Sequence, residues 1–149
     1  MATNSQSLST LRPTIYLLKH VQDALRVMID DALAPLNLTA PQMAVLSALS
    51  SQPQLSNAEL ARATFVAPQS MVPVLQALES QGWIVRRPPA RGRTMPAELT
   101  AHGRERLKAG RTAMSEVESR LLDGLSADER LLFRELLERC LNSLRPEQK

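Results

Sequence analysis

Apolar residues in this chain recur mostly at helical spacing and alternate at strand spacing only briefly. From about Leu11 to Leu36, the positions Leu11, Ile15, Leu18, Val21 or Gln22, Leu25, Met28 or Ile29 and Leu33 follow one helical face. Leu17, Ala24 and Val27 extend the apolar surface to a second side, so this helix needs several packing neighbours or a second copy of the chain. Thr39 and Gln42 have the spacing of a capping box, with Pro41 in the first turn. The helix that follows carries Met43, Val45, Leu46 and Leu49 and is predicted to end near Ala48 or Leu49. Ser50 to Leu55 reads as a polar, proline-containing link.

The stretch from Ser56 to Thr100 organises the rest. Ser56 and Glu59 form a second capping box at the start of a short helix whose apolar side is Leu60 and Ala63. Phe65, Val66 and Ala67 break that pattern, and Pro68 suits the first turn of a new helix. Met71, Val74, Leu75 and Leu78 recur through it, and Gly82 stands where a left-handed C-terminal cap belongs. Two short strand candidates follow, Trp83 to Arg87 and Met95 to Leu99, separated by a loop with Pro88, Pro89 and Gly92. The order helix, turn, helix, hairpin predicts a winged helix-turn-helix.

Thr100 is placed to start another long helix, with Leu107, Met114, Val117 and Leu121 on its apolar side. Gly103 and Gly110 are expected to weaken it locally. Ser126 and Glu129 make a third capping box before a last helix striped with Leu132, Phe133, Leu136, Leu137, Cys140, Leu141 and Leu144. The predicted fold is mainly α: a winged helix-turn-helix with a small two-stranded β-wing, and a helical dimerisation lobe formed by both termini. Residues 1–149 make one protomer, with a reading lobe over 37–103 and the dimerisation lobe over 10–36 plus 104–146. Both terminal stripes look too wide for one small lobe to bury, which predicts a homodimer.

A helix-turn-helix can place the start of its second helix in the major groove of DNA, which is wide enough to admit it. The residues there are Pro68, Gln69, Ser70 and Met71. Gln can bond an adenine edge, Ser can meet a base or a phosphate, and Met offers apolar contact to a thymine methyl. Ser56 and Asn57, at the start of the first helix of the pair, are further candidate DNA contacts. Arg86 and Arg87 at the stem of the hairpin, and Arg91 and Arg93 at its tip, suit phosphates or the narrow minor groove. From 86 to 111 eight Arg or Lys face two acids, a local net of +6 against +3 for the whole chain. That concentration is the electrostatic footprint of a phosphate-binding surface, although basic runs can also be plain solvated faces.

Composition removes several other classes. Aromatics make up 3%, too few for stacking platforms on single strands, and fifteen of the eighteen basic residues are arginine. No apolar run reaches the ~20 residues of a membrane span, and the N-terminus lacks the pattern of a secretion signal. With one cysteine and no such signal, a cytoplasmic location is expected. Two histidines, His20 and His102, and one thiol leave little material for a metal centre or a nucleophilic triad, and there is no Gly-rich phosphate loop. No enzyme activity and no cofactor are expected. Cys140 could serve a thiol-based redox switch, but its place on an apolar stripe favours core filler. A winged helix used only for protein contacts, without DNA binding, is the remaining alternative.

Taken in order, these features resemble the MarR (multiple antibiotic resistance regulator) family. The matching pieces are LNLTAPQMAVLSAL, LSNAELARATFVAPQSM, LQALESQGWIVRR and RGRTMPAELTAHGRERL. The most specific is the LT-x-x-G junction of Leu99, Thr100 and Gly103, with an arginine six residues before the leucine. The resemblance covers roughly 11–144. It implies an obligate dimer, a double-stranded, pseudo-palindromic operator, and repression relieved by a small aromatic or phenolic ligand. In the family that ligand lies between the two lobes, beside the first helix, and Tyr16, His20 and Met43 are the nearest candidates. Three departures stand out: Arg91 occupies the place of the usual wing aspartate, Val72 and Pro73 replace a hydroxyl and a basic residue, and the wing loop looks about one residue shorter. Pro73 removes an intrahelical hydrogen bond and should kink or loosen its helix.

Overall fold

The computed structural model describes residues 13–87 and 96–144. The order is α1 (Thr14–Leu33), a single 3-10 turn (Ala34–Leu36), α2 (Ala40–Ser51), α3 (Asn57–Thr64), α4 (Pro68–Ser80), β1 (Ile84–Arg86), β2 (Ala97–Leu99), α5 (Ala101–Leu121) and α6 (Ala127–Leu144). The winged helix-turn-helix is therefore present. Two compact units divide the chain between Val117 and Glu118. Among the described residues no single helix is long and apolar enough to cross a membrane.

In the first unit the predicted caps hold. Thr39 Oγ1 accepts from the Gln42 amide at 3.4 Å, and Gln42 Oε1 accepts from the Thr39 amide at 3.0 Å. At α3, the Glu59 amide donates to Ser56 Oγ at 3.3 Å and the Ser56 amide donates to Glu59 Oε2 at 2.7 Å. Each exchange satisfies two donors that a helix start leaves without partners. Gly82 takes φ +69° after α4. Its amide donates to Glu79 O and the Trp83 amide to Leu78 O, both at 2.9 Å, which is a Schellman closure. Phe65 caps α3 in the left-handed region at φ 56°, and Pro68 opens α4 as its first residue. Pro73 lies inside α4, which still runs as one element to Ser80.

The wing is an antiparallel pair with Ile84 opposite Leu99, Val85 opposite Glu98 and Arg86 opposite Ala97. The segment expected to be a mere polar link adds a third edge. Leu55 makes an isolated antiparallel bridge to Ala97, and Gln54 donates through its amide to Ala97 O at 3.2 Å and through Nε2 to Glu98 Oε1 at 2.8 Å. The core beneath gathers Leu33, Leu38, Val45, Leu46, Leu49, Leu55, Leu60, Met71, Leu75, Leu78, Trp83, Ile84 and Leu107.

The glycines of α5 are packing sites rather than weak points. A Cβ on Gly110 would meet Met43 Sδ at 2.5 Å, and one on Gly103 would collide with the Trp83 backbone. Because position 110 has no side chain, the Met43 side chain of α2 packs directly on the α5 backbone there.

In the second unit, α6 starts from the third predicted capping box, with Glu129 N–H donating to Ser126 Oγ at 3.3 Å and Ser126 N–H to Glu129 Oε2 at 2.8 Å. Leu121, Leu122, Leu131, Phe133 and Leu137 line an apolar groove of about 550 Å³. α6 has no buried residue. Cys140 is exposed, so it is not core filler within the chain: one short unit offers its stripe too little to pack against.

Candidate nucleic-acid interface

α4 is seated by one side and offers the other. Met71, Leu75 and Leu78, at i, i+4 and i+7, are all fully buried and fix the helix against α2, α3 and β1. This corrects Met71 as a base-contacting residue: it is 0% exposed and belongs to the core. The opposite face is open. Pro68, Gln69, Ser70, Val72, Pro73 and Gln76 are exposed, and Gln69, Pro73, Gln76 and Ser80 follow one outward ridge. The sequence-based candidates on α4, Pro68, Gln69, Ser70 and Met71, all lie in its first turn. Helical spacing from Gln69 was the signal that would have added Val72 and Gln76.

Ser56 and Asn57 are half-buried at the start of α3. Ser56 already spends its hydroxyl oxygen and its amide on Glu59. Hydrogen bonding by Ser56, through its side chain and then its backbone, together with the charge of Arg62, holds the Glu59 carboxyl below the usual glutamate range.

The basic run proves to be divided between structural and free cations. Arg86 donates from Nε and Nη2 to Glu79 Oε2 at 3.0 and 2.7 Å, tying β1 back to the end of α4. Its guanidinium thus positions the wing stem and is not free for phosphate. Arg106 is spent likewise, 5.5 Å above the Trp83 ring and donating to Leu36 O at 3.3 Å. Arg87 is exposed at the stem. Arg91 and Arg93 lie outside the described residues.

Arg104, Lys108 and Arg111 line a groove of about 570 Å³ on α5, together with Ser50 at the end of α2, Leu107, Thr112, Ser115 and one acid, Glu116. Arg111 Nη2 donates to Ser50 Oγ at 3.5 Å and Arg104 Nη1 to Leu99 O at 3.0 Å. Lys108 has no acidic partner among the salt bridges described. The ligand candidates are not brought together in this way. Tyr16 and His20 are exposed one turn apart on α1, Met43 is buried under Gly110, and neither groove includes any of the three.

Two helices joined by a tight turn and followed by an antiparallel wing define a winged helix-turn-helix protein. Comparison with known proteins makes the class specific. The model of the MarR family matches residues 36–93. The HTH-type transcriptional repressor Rv2887 of Mycobacterium tuberculosis is 42% identical over 130 residues, spanning 85% of this chain and 92% of that protein. The crystal structure of Rv2887 in complex with DNA is similar with a TM-score of 0.76 at 40% identity, covering 87% of this chain and 98% of that one. Its complex with salicylic acid is similar with a TM-score of 0.72 at 40% identity, covering 87% and 96%. The chain belongs to the MarR family of transcription regulators.

Proposed function

We propose that this protein is a homodimeric repressor that binds a pseudo-palindromic operator in duplex DNA and leaves it when a small aromatic acid or phenol binds. The observation that carries the reading is α4, clamped by Met71, Leu75 and Leu78 while Gln69, Ser70 and Gln76 face outward. A helix held so firmly and offering amides and a hydroxyl is suited to base edges. The relative Rv2887, solved with DNA and with salicylic acid, supports both the operator and the class of ligand.

Exposed apolar side chains on α1 (Ile15, Leu18, Val21) and α6 (Leu132, Leu136, Leu144) support a dimer. They fit a dimerisation lobe over 10–36 plus 104–146 and a reading lobe over 37–103. Two copies would set their α4 helices about one turn of DNA apart. For the ligand's carboxylate the α5 groove supplies Lys108 and Arg111, which Tyr16 and His20 on α1 do not match in charge. A cytoplasmic location fits this role.

The test is fluorescence anisotropy of duplex DNA from the protein's own upstream region, in a salt series, with and without salicylate. Expected is tight binding that weakens steeply with salt and is relieved by salicylate. Arg87→Ala should lower the salt slope by about 1, as loss of one phosphate contact does. Arg111→Ala should blunt the response to salicylate more than it weakens DNA binding. Absence of binding to any duplex at low salt would defeat the proposal.

A further inference from the structure

The outward face of α4 carries no charge. Between Arg62 and Arg86 there is no lysine or arginine at all, and the single acid, Glu79, is taken by Arg86. Guanine is most often chosen by the forked or point cation of Arg or Lys on its O6 and N7. That device is missing from this helix. What stands in its place is an amide at Gln69, an apolar pair at Val72 and Pro73, and a second amide at Gln76. Val72 is 43% exposed despite being β-branched and apolar. Pro73 adds a ring surface and withholds the amide that the Gln69 carbonyl would otherwise receive.

Apolar surface aimed into a major groove has one complementary group on the base edges, the C5-methyl of thymine. Glutamine's matching edge is adenine, through N6 and N7. Both preferences select the same base pair.

We infer that α4 reads an A·T-paired half-site, with Val72 and Pro73 packed on thymine C5-methyl groups and Gln69 and Gln76 on flanking adenines. This rests on the DNA-binding reading above and names the bases that it takes. Guanine contacts, where the site has them, come from elements other than α4. Val72 and Pro73 thus act as specificity residues although neither can form a side-chain hydrogen bond.

The test separates the two readings. Duplexes bound by the full-length protein are selected from a random pool, and each thymine of the enriched half-site is then replaced singly by deoxyuridine, which removes only the methyl group. One or two replacements per half-site should weaken binding about fourfold, the worth of one buried methyl. In Val72→Ala the thymine-to-deoxyuridine ratio at one such position should fall to about one. Val72 is exposed, so the variant should fold, and an unchanged melting temperature checks that it does. A half-site centred on G·C pairs, or tight binding indifferent to every methyl, overturns the inference while leaving a DNA-binding repressor. Failure to enrich any duplex overturns both.

Discussion

A Cβ on Gly103 would stand 1.9 Å from the carbonyl oxygen of Trp83. The two residues meet where three elements converge. The Thr100 amide donates to that same Trp83 oxygen at 3.1 Å, and Thr100 Oγ1 donates to Gly82 O at 2.7 Å while accepting from the Gly103 amide at 3.0 Å. The Leu99-Thr100-Gly103 signature is therefore a joint: the hydroxyl binds the end of the α4 cap to the start of α5, and the glycine lets them touch.

Gly103→Ala should consequently destabilise. Helix propensity alone would reward alanine by about 1 kcal/mol, but a backbone atom at that distance cannot step aside. A net loss of about 2 kcal/mol is expected, read as a lower melting temperature by circular dichroism. Gly110→Ala should cost less, since the atom its methyl group meets belongs to the flexible Met43 side chain. Equal effects at the two glycines would contradict this account of the joint.

Phe65 offers a gain. It sits at φ 56° with 79% of its surface exposed, holding an unfavourable backbone conformation without burying its ring. Asparagine tolerates the left-handed region better, so Phe65→Asn should stabilise by roughly 0.5–1 kcal/mol. Chemical denaturation measures the change, and a loss would mean that the ring has a packing partner after all.

Glu79→Gln tests the tether between α4 and the wing. It leaves the largely buried Arg86 guanidinium facing a neutral amide, at a cost of about 1 kcal/mol, between the exposed and buried limits for such pairs. Faster amide exchange confined to β1 and β2 is the expected signature. Unchanged exchange there would show that the strand pairing needs no such tether.

Acid should loosen helix starts. Glu59 is held below its ordinary range by Ser56 and the charge of Arg62, and Glu129 by hydrogen bonding to Ser126, backbone first. Both carboxyls bind protons less readily folded than unfolded. Their contribution is thus complete above the ordinary glutamate range and fades as pH falls through the lowered folded values. Carboxyl-carbon NMR titration should place both below an unstructured glutamate, and Ser56→Ala should return Glu59 toward the usual range. An Ser56→Ala titration identical to wild type would show that the cap is not the cause.

Much of this was legible in the chain itself because it is local chemistry. Three capping boxes, the Gly82 closure and the break at Phe65 depend on residues within a turn of one another. Burial and partnership are not local. The helical period of α4 announces two faces without saying which is inward, so Met71 reads equally well as anchor or probe until it is seen buried in the core with Leu75 and Leu78. Counting charges likewise cannot show that Arg86 belongs to Glu79 and Arg106 to Trp83. The bridge from Leu55 to Ala97 spans a single residue pair and leaves no periodicity to detect. Gly103 and Gly110 look like helix weakeners until the neighbours they admit come into view.

Trp83, the sole tryptophan, is 4% exposed, with His102 edge-on at 6.4 Å and Arg106 on its face. It stands between the end of α4 and the start of α5, so any motion that carries α4 relative to α5 must change the surroundings of its indole. The molecule therefore holds a built-in optical gauge at the base of α4. The emission of one residue can follow that helix in real time, with no label attached.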